Sequence, residues 1–313
     1  MNSIVIGIDT SNYTTSLAAA DRDGRIISDR RKLLNVKPGE RGLRQQEAFF
    51  QHVANIPSLF DELITDIGDR KVAGISCSTR PRPVEGSYMP VFSAGESFAR
   101  VLAGAYGCSL HTYSHQEGHV AAASHGTPLE GADDFVFFHL SGGTTEAVML
   151  PEYEMVGKTL DISFGQLIDR AGVALGMDFP CGREMDGLAM SAGPDDVIGL
   201  PVIKVKDGTV NLSGIESACQ RYIEQNKTVD KASFSGELFS LIADALRKMT
   251  VQIKEKTGMR RFLFAGGVSS SQYISRKLQG SLPDDIEIYF GKPELCRDNA
   301  VGTALLGGKD TWR

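Results

Sequence analysis

The apolar and polar stretches alternate along the chain in a way that predicts two similar hairpins. Residues 4–8 (IVIGI) are a β-branched run that predicts a strand, and a polar turn and the apolar run SLAAA follow it. Residues 135–151 repeat this plan as FVFFHL, SGGTT and EAVMLP. Threonine pairs at 14–15 and 144–145 occupy matching places, so the pattern predicts two related halves.

Both polar turns are rich in small and hydroxylic residues. A turn of this kind exposes backbone N–H groups and hydroxyls that can hold phosphate oxygens. Either turn alone is well explained as an ordinary hairpin. The pair together predicts two facing hairpins that clamp a nucleotide between domains.

Helical periodicity places apolar residues on one face of several further segments. The stripe of the helix at 46–66 is interpreted as core, and Pro57 is expected to bend this helix. Residues 261–278 predict a strand, a Gly-Gly turn and a helix, where a nucleotide can sit against the helix amino terminus. The other predicted elements are a strand at 71–79 and helices at 93–107, 164–176 and 236–258.

Strands that alternate with helices predict an α/β architecture. A chain of 313 residues is long enough for two domains. We place the boundary near residue 112, which gives an amino-terminal lobe at 1–112 and a carboxy-terminal lobe at 113–313. Neither a membrane-spanning apolar run nor a signal-peptide pattern is visible in the sequence, so a cytoplasmic protein is expected.

Composition and charge narrow the classes of function. A formal net charge of -6 disfavours a general electrostatic grip on nucleic acid, so a nucleic-acid substrate would need a local patch or a partner. The five cysteines are odd in number and never form a C-x-x-C pair, which argues against a disulfide framework and a thiolate zinc site.

The segment SHQEGH at 114–119 contains the main candidate for chemistry. On a helix, His115 and His119 would lie about 40° apart around the axis and could share one metal ion, whereas Glu117 would point about 200° away. A zincin peptidase has H-E-x-x-H, with the glutamate directly after the first histidine. The order H-x-E-x-H therefore disfavours a metallopeptidase.

A two-histidine site needs a further ligand. Asp298 in CRDNAVGTALLGG is the candidate, since it precedes helix-compatible residues and is expected at a helix amino terminus. The competing interpretation is that Asp298 is only a helix N-cap. Two histidines and one carboxylate suit iron, zinc or manganese.

Six motifs together carry a resemblance to a known family: SHQEGH, LSGGTTEAV, GQLIDRAGVALGMDFPCG, LSGI, FAGGVSSS and CRDNAVG. Their order and spacing resemble the tRNA N6-threonylcarbamoyladenosine transferase family (TsaD, formerly called O-sialoglycoprotein endopeptidase), over essentially the whole chain. The resemblance implies an actin-like, sugar-kinase-like (ASKHA) α/β fold of two duplicated lobes, with a nucleotide and a metal in the interlobe cleft.

The resemblance also implies ligands and the residues that hold them. The expected ligands are one divalent metal ion, iron or zinc, and ATP, AMP or an acyl-adenylate. The implied metal ligands are His115, His119 and Asp298. The implied nucleotide and substrate residues are Ser141, Gly142 and Gly143 near the phosphate, Asp169 and Gly182 at the ribose or threonyl group, Gly266 and Gly267 beneath the adenine, and Ser271 after that turn.

The implied reaction transfers a threonylcarbamoyl group from threonylcarbamoyl-AMP to N6 of the adenosine 3′ of the anticodon in ANN-decoding tRNA. AMP is released. The implied partners are tRNA, bound through a multi-protein complex, and TsaB-like and TsaE-like proteins, without a membrane. A catalytic side chain is not assigned.

The chain departs from the family pattern at several positions. Asn12, Tyr13 and Thr14 stand in the first turn, where the family has Cys-Asp-Glu, and Ser271 replaces an asparagine. Residues 79–83 read TRPRP instead of Thr-Arg-Gly-Pro-Gly. We interpret the chain as a diverged member. The alternatives are a carbamoyltransferase with another acceptor, or a non-catalytic ATP-binding paralogue of an active enzyme.

Overall fold

In the computed structural model of the protein, two compact units account for the chain. The first unit combines Met1–His125 with Leu295–Arg313, and the second is Gly126–Glu294. The residues that the structure describes are 3–11, 13–36, 43–193 and 197–313.

A five-stranded sheet covered by helices forms the first unit. Its described elements are β1 (Ser3–Ser11), β2 (Thr14–Asp21), β3 (Ile26–Leu33), α1 (Gln45–Ile67), β4 (Lys71–Arg80), α2 (Phe92–Tyr106), β5 (Ser109–Ser114), α3 (His115–Ser124) and α9 (Val301–Thr311). The strand order is β3-β2-β1-β4-β5.

The central strand β1 is buried from Ile4 to its end, as expected for a strand covered on both faces. It pairs antiparallel with β2, which confirms the predicted first hairpin, and parallel with β4. Because β4 is also parallel to β5, the carboxyl ends of β1, β4 and β5 meet at one edge of the sheet. That edge carries Asp9 and, directly after β5, His115.

A seven-stranded sheet with the order β12-β11-β6-β7-β8-β10-β9 forms the second unit. Its core contains fully buried phenylalanines, and the rings of Phe138 and Phe264 stack at 4.7 Å. Its described elements are β6 (Val136–Leu140), β7 (Thr145–Met149), β8 (Glu154–Thr159), α4 (Phe164–Ala174), α5 (Gly182–Ser191), β9 (Val205–Lys206), β10 (Thr209–Val210), α6 (Ser213–Gln225), α7 (Lys231–Thr257), β11 (Arg261–Ala265), α8 (Gln272–Gln279) and β12 (Glu287–Phe290).

Both units repeat one pairing scheme. The predicted second hairpin is confirmed as the antiparallel pair β6 and β7, and β6 is also parallel to β11. The strand β1 has the same two kinds of neighbour in the first unit. This shared scheme agrees with the predicted duplication.

Most element boundaries agree with the sequence pattern. Pro57 lies inside α1, and α2 stops at Gly107, which has the left-handed φ of 63° that favours glycine. The helix predicted from residue 236 begins earlier, because the Asp230 carboxylate accepts a hydrogen bond from the Ala232 amide at 3.0 Å and starts α7 at Lys231. None of the described helices has the length and apolar character required to cross a membrane.

The compact units differ from the lobes predicted at 1–112 and 113–313. The helix α3 packs with the first sheet, and the carboxy-terminal helix α9 returns to contact both β1 and α3. The helical pattern of α9 was visible in the sequence, but its packing partners were not.

Candidate metal centre and nucleotide-binding loop

The histidine pair lies on a helix, α3, which is the condition under which the two side chains were expected to share one metal ion. Its start is fixed by a capping box: Ser114 Oγ accepts a hydrogen bond from the Glu117 amide at 3.1 Å, and Glu117 Oε2 accepts one from the Ser114 amide at 2.6 Å. One helical turn therefore separates His115 from His119, and both imidazoles lie on the same face.

The capping role also removes Glu117 from the chemistry of the histidine pair. Its carboxylate is held by the Ser114 amide and lies 3.6 Å from the Arg80 guanidinium. A metallopeptidase needs its glutamate at the metal-bound water. The geometry therefore agrees with the prediction that disfavours peptidase chemistry.

Three side chains converge to form what we call the triad, namely His115, His119 and Asp298. The two histidine Nε2 atoms are 2.9 Å apart, and Asp298 Oδ1 lies 3.6 Å from that of His115 and 3.3 Å from that of His119. One ligand atom from each residue lies within 4.8 Å of the others. The triad belongs entirely to the first unit.

Asp298 does not cap α9, contrary to the competing interpretation. The helix begins at Val301, and the Asn299 side-chain oxygen accepts the hydrogen bond from the Val301 amide at 2.9 Å. Since Asn299 satisfies this amide, the Asp298 carboxylate is left to face the histidines. Asp298 was expected at the amino terminus of the helix, and it lies three residues before the first residue of α9.

A fourth residue, Asp9, supports the triad from strand β1. It is almost fully buried, and its Oδ2 lies 2.8 Å from His115 Nδ1, while its Oδ1 accepts a hydrogen bond from the Ser11 amide at 3.0 Å. An Nδ1–H donated to a carboxylate fixes the imidazole so that Nε2 faces the metal position. Asp9 therefore orients His115.

Electrostatics at the triad favour a positive charge. Burial opposes protonation of His115, but the charges and hydrogen bonds of Asp9 and Asp298 outweigh it and raise its pKa to about 10. Burial would raise the pKa of Asp298, but its hydrogen bonds with His115 and His119 hold it well below the usual value. Burial of Asp9 is likewise outweighed by His115, which lowers the Asp9 pKa.

The donor set fits a divalent metal ion. Two imidazole nitrogens and one carboxylate oxygen are ligands that iron, zinc and manganese accept. The Asp9–His115 pair supplies the outer carboxylate that commonly accompanies a metal-binding histidine. The described residues contain this one group of His, Cys, Asp or Glu side chains with metal-binding spacing.

The role of Asp9 was missed in the sequence. Asp9 directly follows the apolar run 4–8, at the carboxyl end of a strand flanked by strand β4 in parallel. Polar site residues of α/β sheets commonly lie at that edge. This position was the available signal, although nothing in the local sequence links Asp9 to His115, 106 positions later.

The predicted phosphate loop, residues 141–143, lies in the second unit at the end of β6. Ser141 Oγ accepts hydrogen bonds from the amides of Gly143 at 3.3 Å and Thr144 at 3.0 Å. Ser163 Oγ donates to the Gly142 carbonyl at 2.7 Å. Gly142 and Gly143 are themselves exposed, with open space where a side chain would stand. A ligand can therefore approach a loop whose shape is already fixed.

The Gly266-Gly267 turn lies beside this loop. Gly266 has a φ of 104°, which favours glycine. A Cβ at this position would also lie 2.5 Å from the Leu140 carbonyl carbon, so a larger residue would clash. The Val268 amide donates to the Leu140 carbonyl at 3.0 Å. The structure thus brings the turn and Ser141 together at the carboxyl ends of the parallel strands β6 and β11.

Asp169 and Gly182 are linked through Cys181, the residue directly before α5. The Asp169 carboxylate accepts a hydrogen bond from the Cys181 amide at 2.8 Å, and Gly182 is the first residue of α5. Burial raises the pKa of Asp169. The bond places Asp169 beside the amino terminus of α5.

Ser271 is a capping residue. Its hydroxyl donates to Asp186 and accepts from the Ile274 amide, and Asp186 also accepts from the amides of Gln272 at 2.9 Å and Tyr273 at 3.1 Å. The amino terminus of α8 therefore already holds an anion. The sequence-based expectation that a nucleotide sits against this terminus stays a prediction, and a phosphate placed there would meet like charge.

The first turn differs from the phosphate loop. Asn12 lies outside the described residues, and Tyr13 is 42% exposed. Thr15 is buried, and its hydroxyl lies 2.8 Å from His52 Nδ1 and accepts from Asn55 Nδ2 at 3.2 Å. The expected exposed hydroxyl at this position is therefore engaged inside the first unit.

Comparison with solved structures identifies the fold. Component A of (R)-2-hydroxyglutaryl-CoA dehydratase from Acidaminococcus fermentans is similar with a TM-score of 0.56 and 14% identity, over 99% of both chains. A ROK family glucokinase from Streptomyces griseus, in complex with glucose and AMPPNP, is similar with a TM-score of 0.55 and 12% identity, over 98% of this chain and 99% of that chain. These similarities confirm the predicted ASKHA fold.

Comparison of sequences identifies the family. The family model described as TsaD, tRNA N6-adenosine threonylcarbamoyltransferase, matches residues 31–305. A protein of that name from Geotalea uraniireducens (strain Rf4) is 27% identical over 97% of this chain and 90% of its own length. The chain therefore belongs to the tRNA N6-adenosine threonylcarbamoyltransferase (TsaD) family, a family of transferase enzymes.

Proposed function

We propose that this protein transfers a threonylcarbamoyl group from threonylcarbamoyl-AMP to N6 of the adenosine 3′ of the anticodon in ANN-decoding tRNA, with a metal ion bound by the triad. The observation that carries the proposal is the convergence of His115, His119 and Asp298 in a chain of this family. Iron or zinc is the proposed metal.

The residues of the first unit would bind and orient the metal. His115 and His119 supply Nε2 atoms, Asp298 supplies a carboxylate oxygen, and Asp9 keeps His115 in the required orientation. When bound, the ion would supply charge stabilisation and polarise the carbamoyl oxygen. His119 and Asp9 are buried, so packing around their side chains helps to hold this geometry.

The residues of the second unit would bind the adenylate. The exposed backbone of Gly142 and Gly143 suits the phosphate. We assign the Gly266-Gly267 turn to the uncharged adenine, because the helix α8 that follows this turn is already capped by the Asp186 carboxylate. We assign the ribose or threonyl group to Asp169 and Gly182, and keep Ser271 as an indirect contributor that holds α8. These assignments extend the family resemblance with the contacts observed here.

The proposed transfer forms one bond and breaks another. The N6 amine of the tRNA adenosine attacks the carbamoyl carbon, the bond from that carbon to the phosphate oxygen of AMP breaks, and the amine releases one proton. The proton acceptor is not assigned to a side chain, and Glu117 is excluded because it caps α3. The charge on the leaving phosphate would be met by the 141–143 loop.

The acceptor and the acidic composition suggest how the protein works in the cell. A chain with a formal net charge of -6 gains little from general attraction to RNA, so we propose that TsaB-like and TsaE-like partners help to hold the tRNA. A tRNA substrate makes the cytoplasm the proposed location.

The test is transfer with purified components. Metal-loaded protein is incubated with threonylcarbamoyl-AMP and unmodified ANN-decoding tRNA, with and without the TsaB-like and TsaE-like proteins, and nucleosides are analysed by mass spectrometry. We expect threonylcarbamoyl-adenosine with the wild type and its loss in His115→Ala, because the variant lacks one triad nitrogen. A known active family member serves as the positive control.

Two outcomes would redirect the proposal. Binding of metal and adenylate without tRNA product, while the positive control is active, would favour a carbamoyltransferase with another acceptor. The altered first turn, where Asn12, Tyr13 and Thr14 replace the family's Cys-Asp-Glu, is the observation that favours this alternative and the non-catalytic one over tRNA modification. Adenylate binding without any transfer would indicate a non-catalytic paralogue.

A further inference from the structure

The place of Asp298 beside the histidines depends on how α9 packs within the first unit. Gly118 of α3 and Gly302 of α9 meet where the two helices touch. A Cβ on Gly302 would overlap the Gly118 carbonyl group and lie 2.9 Å from the Ala122 amide nitrogen. Such backbone-to-backbone proximity requires glycine at position 302.

The same helix is fixed on its other side by β1. A Cβ on Gly7 would lie 2.6 Å from the Ala304 amide nitrogen, so β1 and α9 are also in backbone contact. Asp9 follows Gly7 by two residues on this strand. The helix α9 therefore packs directly against both elements that carry the other residues of the metal centre.

We infer that Gly118 and Gly302 are positioning residues that set the distance from Asp298 to the two histidines. Gly118 lies within the turn between His115 and His119, and Gly302 lies four residues after Asp298. The inference rests on the proposed metal function of the triad. It assigns to two residues without side chains a role that neither charge nor ligand chemistry would identify.

Metal geometry makes this spacing critical. Ligand distances tolerate deviations of about 0.2 Å, whereas a methyl group inserted between two backbones separates them by roughly 1 Å or more. Asp298 lies just before α9, and its neighbour Asn299 is tied to the first turn of that helix by the hydrogen bond from the Val301 amide at 2.9 Å. A separation at the adjacent Gly118–Gly302 contact would therefore displace the segment that carries Asp298. The Asp298 carboxylate would then lie too far from His115 and His119 to share a metal ion with them.

The test compares Gly302→Ala with a matched control on the same helix, Gly307→Ala. A Cβ on Gly307 would lie 2.6 Å from Ser76 Cβ of β4, so the control also crowds α9, but away from α3. Zinc affinity is measured by competition with a chromophoric chelator. Imidazole ¹H–¹⁵N spectra of the metal-free proteins report the histidine environments, and thermal unfolding reports stability.

We expect Gly302→Ala to weaken zinc binding by roughly 10-fold or more and to shift the His115 and His119 signals. Gly307→Ala is expected to lower the melting temperature while it leaves zinc affinity and these signals unchanged. Equal losses of affinity in both variants, or wild-type affinity and signals in Gly302→Ala, would overturn the inference.

A milder variant keeps the test decisive if Gly302→Ala does not fold. A Cβ on Gly118 would lie 3.1 Å from Thr303 Oγ1, a side-chain atom, so Gly118→Ala should fold with a smaller loss of affinity. Adding Thr303→Ala removes that contact and is expected to restore binding; failure to restore it counts against the inference.

If the wild type binds no zinc, the proposed metal centre is contradicted, and the metal-free spectra still decide the positioning role.

Discussion

Replacing Asp298 with asparagine is expected to weaken metal binding by more than the roughly 10- to 100-fold typical of residues that only orient a ligand. The Asp298 oxygen is the one anionic ligand atom of the triad, at 3.3 Å from His119 Nε2 and 3.6 Å from His115 Nε2. An amide keeps the shape but loses the charge that attracts a cation. Metal affinity measured by chelator competition, together with transfer activity, checks this prediction.

Asp310→Asn is the matched control for that variant. Asp310 lies in the last turn of α9, at the end of the helix far from Asp298, and accepts a hydrogen bond from the Tyr113 hydroxyl at 2.6 Å. Its replacement therefore removes an aspartate from the same unit without touching the triad. The control should retain wild-type metal affinity. Unchanged affinity in Asp298→Asn would remove Asp298 from the metal centre.

Asp9→Asn is expected to lower metal affinity roughly 10- to 100-fold, although Asp9 is not itself placed as a ligand. The present carboxylate serves two donors at once, the Ser11 amide at 3.0 Å and the His115 Nδ1 at 2.8 Å. An asparagine offers one oxygen, so its NH2 group must face one of these donors. His115 then loses the contact that aims Nε2, and titration with metal measures the loss.

The control for a lost carboxylate in the same unit is Asp66→Asn. Asp66 binds the Ser28 hydroxyl at 2.6 Å and the Arg30 guanidinium at 2.7 Å. Its replacement should lower the melting temperature and leave metal affinity unchanged. If Asp9→Asn binds metal as tightly as the wild type, while retaining its fold, then Asp9 does not orient His115.

The local sequence pattern was sufficient to predict elements that are determined by interactions between residues close together in the chain. The strand at residues 4–8 and the two hairpins follow from apolar periodicity, and the start of α3 is fixed by the nearby capping residues Ser114 and Glu117. Once residues 114–124 are taken as a helix, one turn brings His115 and His119 together, so this pair could be inferred from local sequence. The metal identity and the nucleotide contacts stay predictions.

Long-range packing decided what the sequence could not reveal. Asp9 reaches His115 because parallel strands end at one edge of the sheet, and Asp298 reaches the pair because α9 returns to the first unit. Asp186 caps α8 across 86 positions of sequence, so the helix terminus proposed for a nucleotide already carries a carboxylate. Each of these contacts joins segments whose local sequences are independent.

The most direct test of the account is the metal content of the purified chain. The protein is reconstituted anaerobically with iron(II) or with zinc(II), freed of excess ion and analysed for elements beside a His115→Ala/His119→Ala double variant. The account predicts about one ion per chain in the wild type and loss of that ion in the variant. A wild type that retains no ion, or a double variant that retains as much as the wild type, would contradict it.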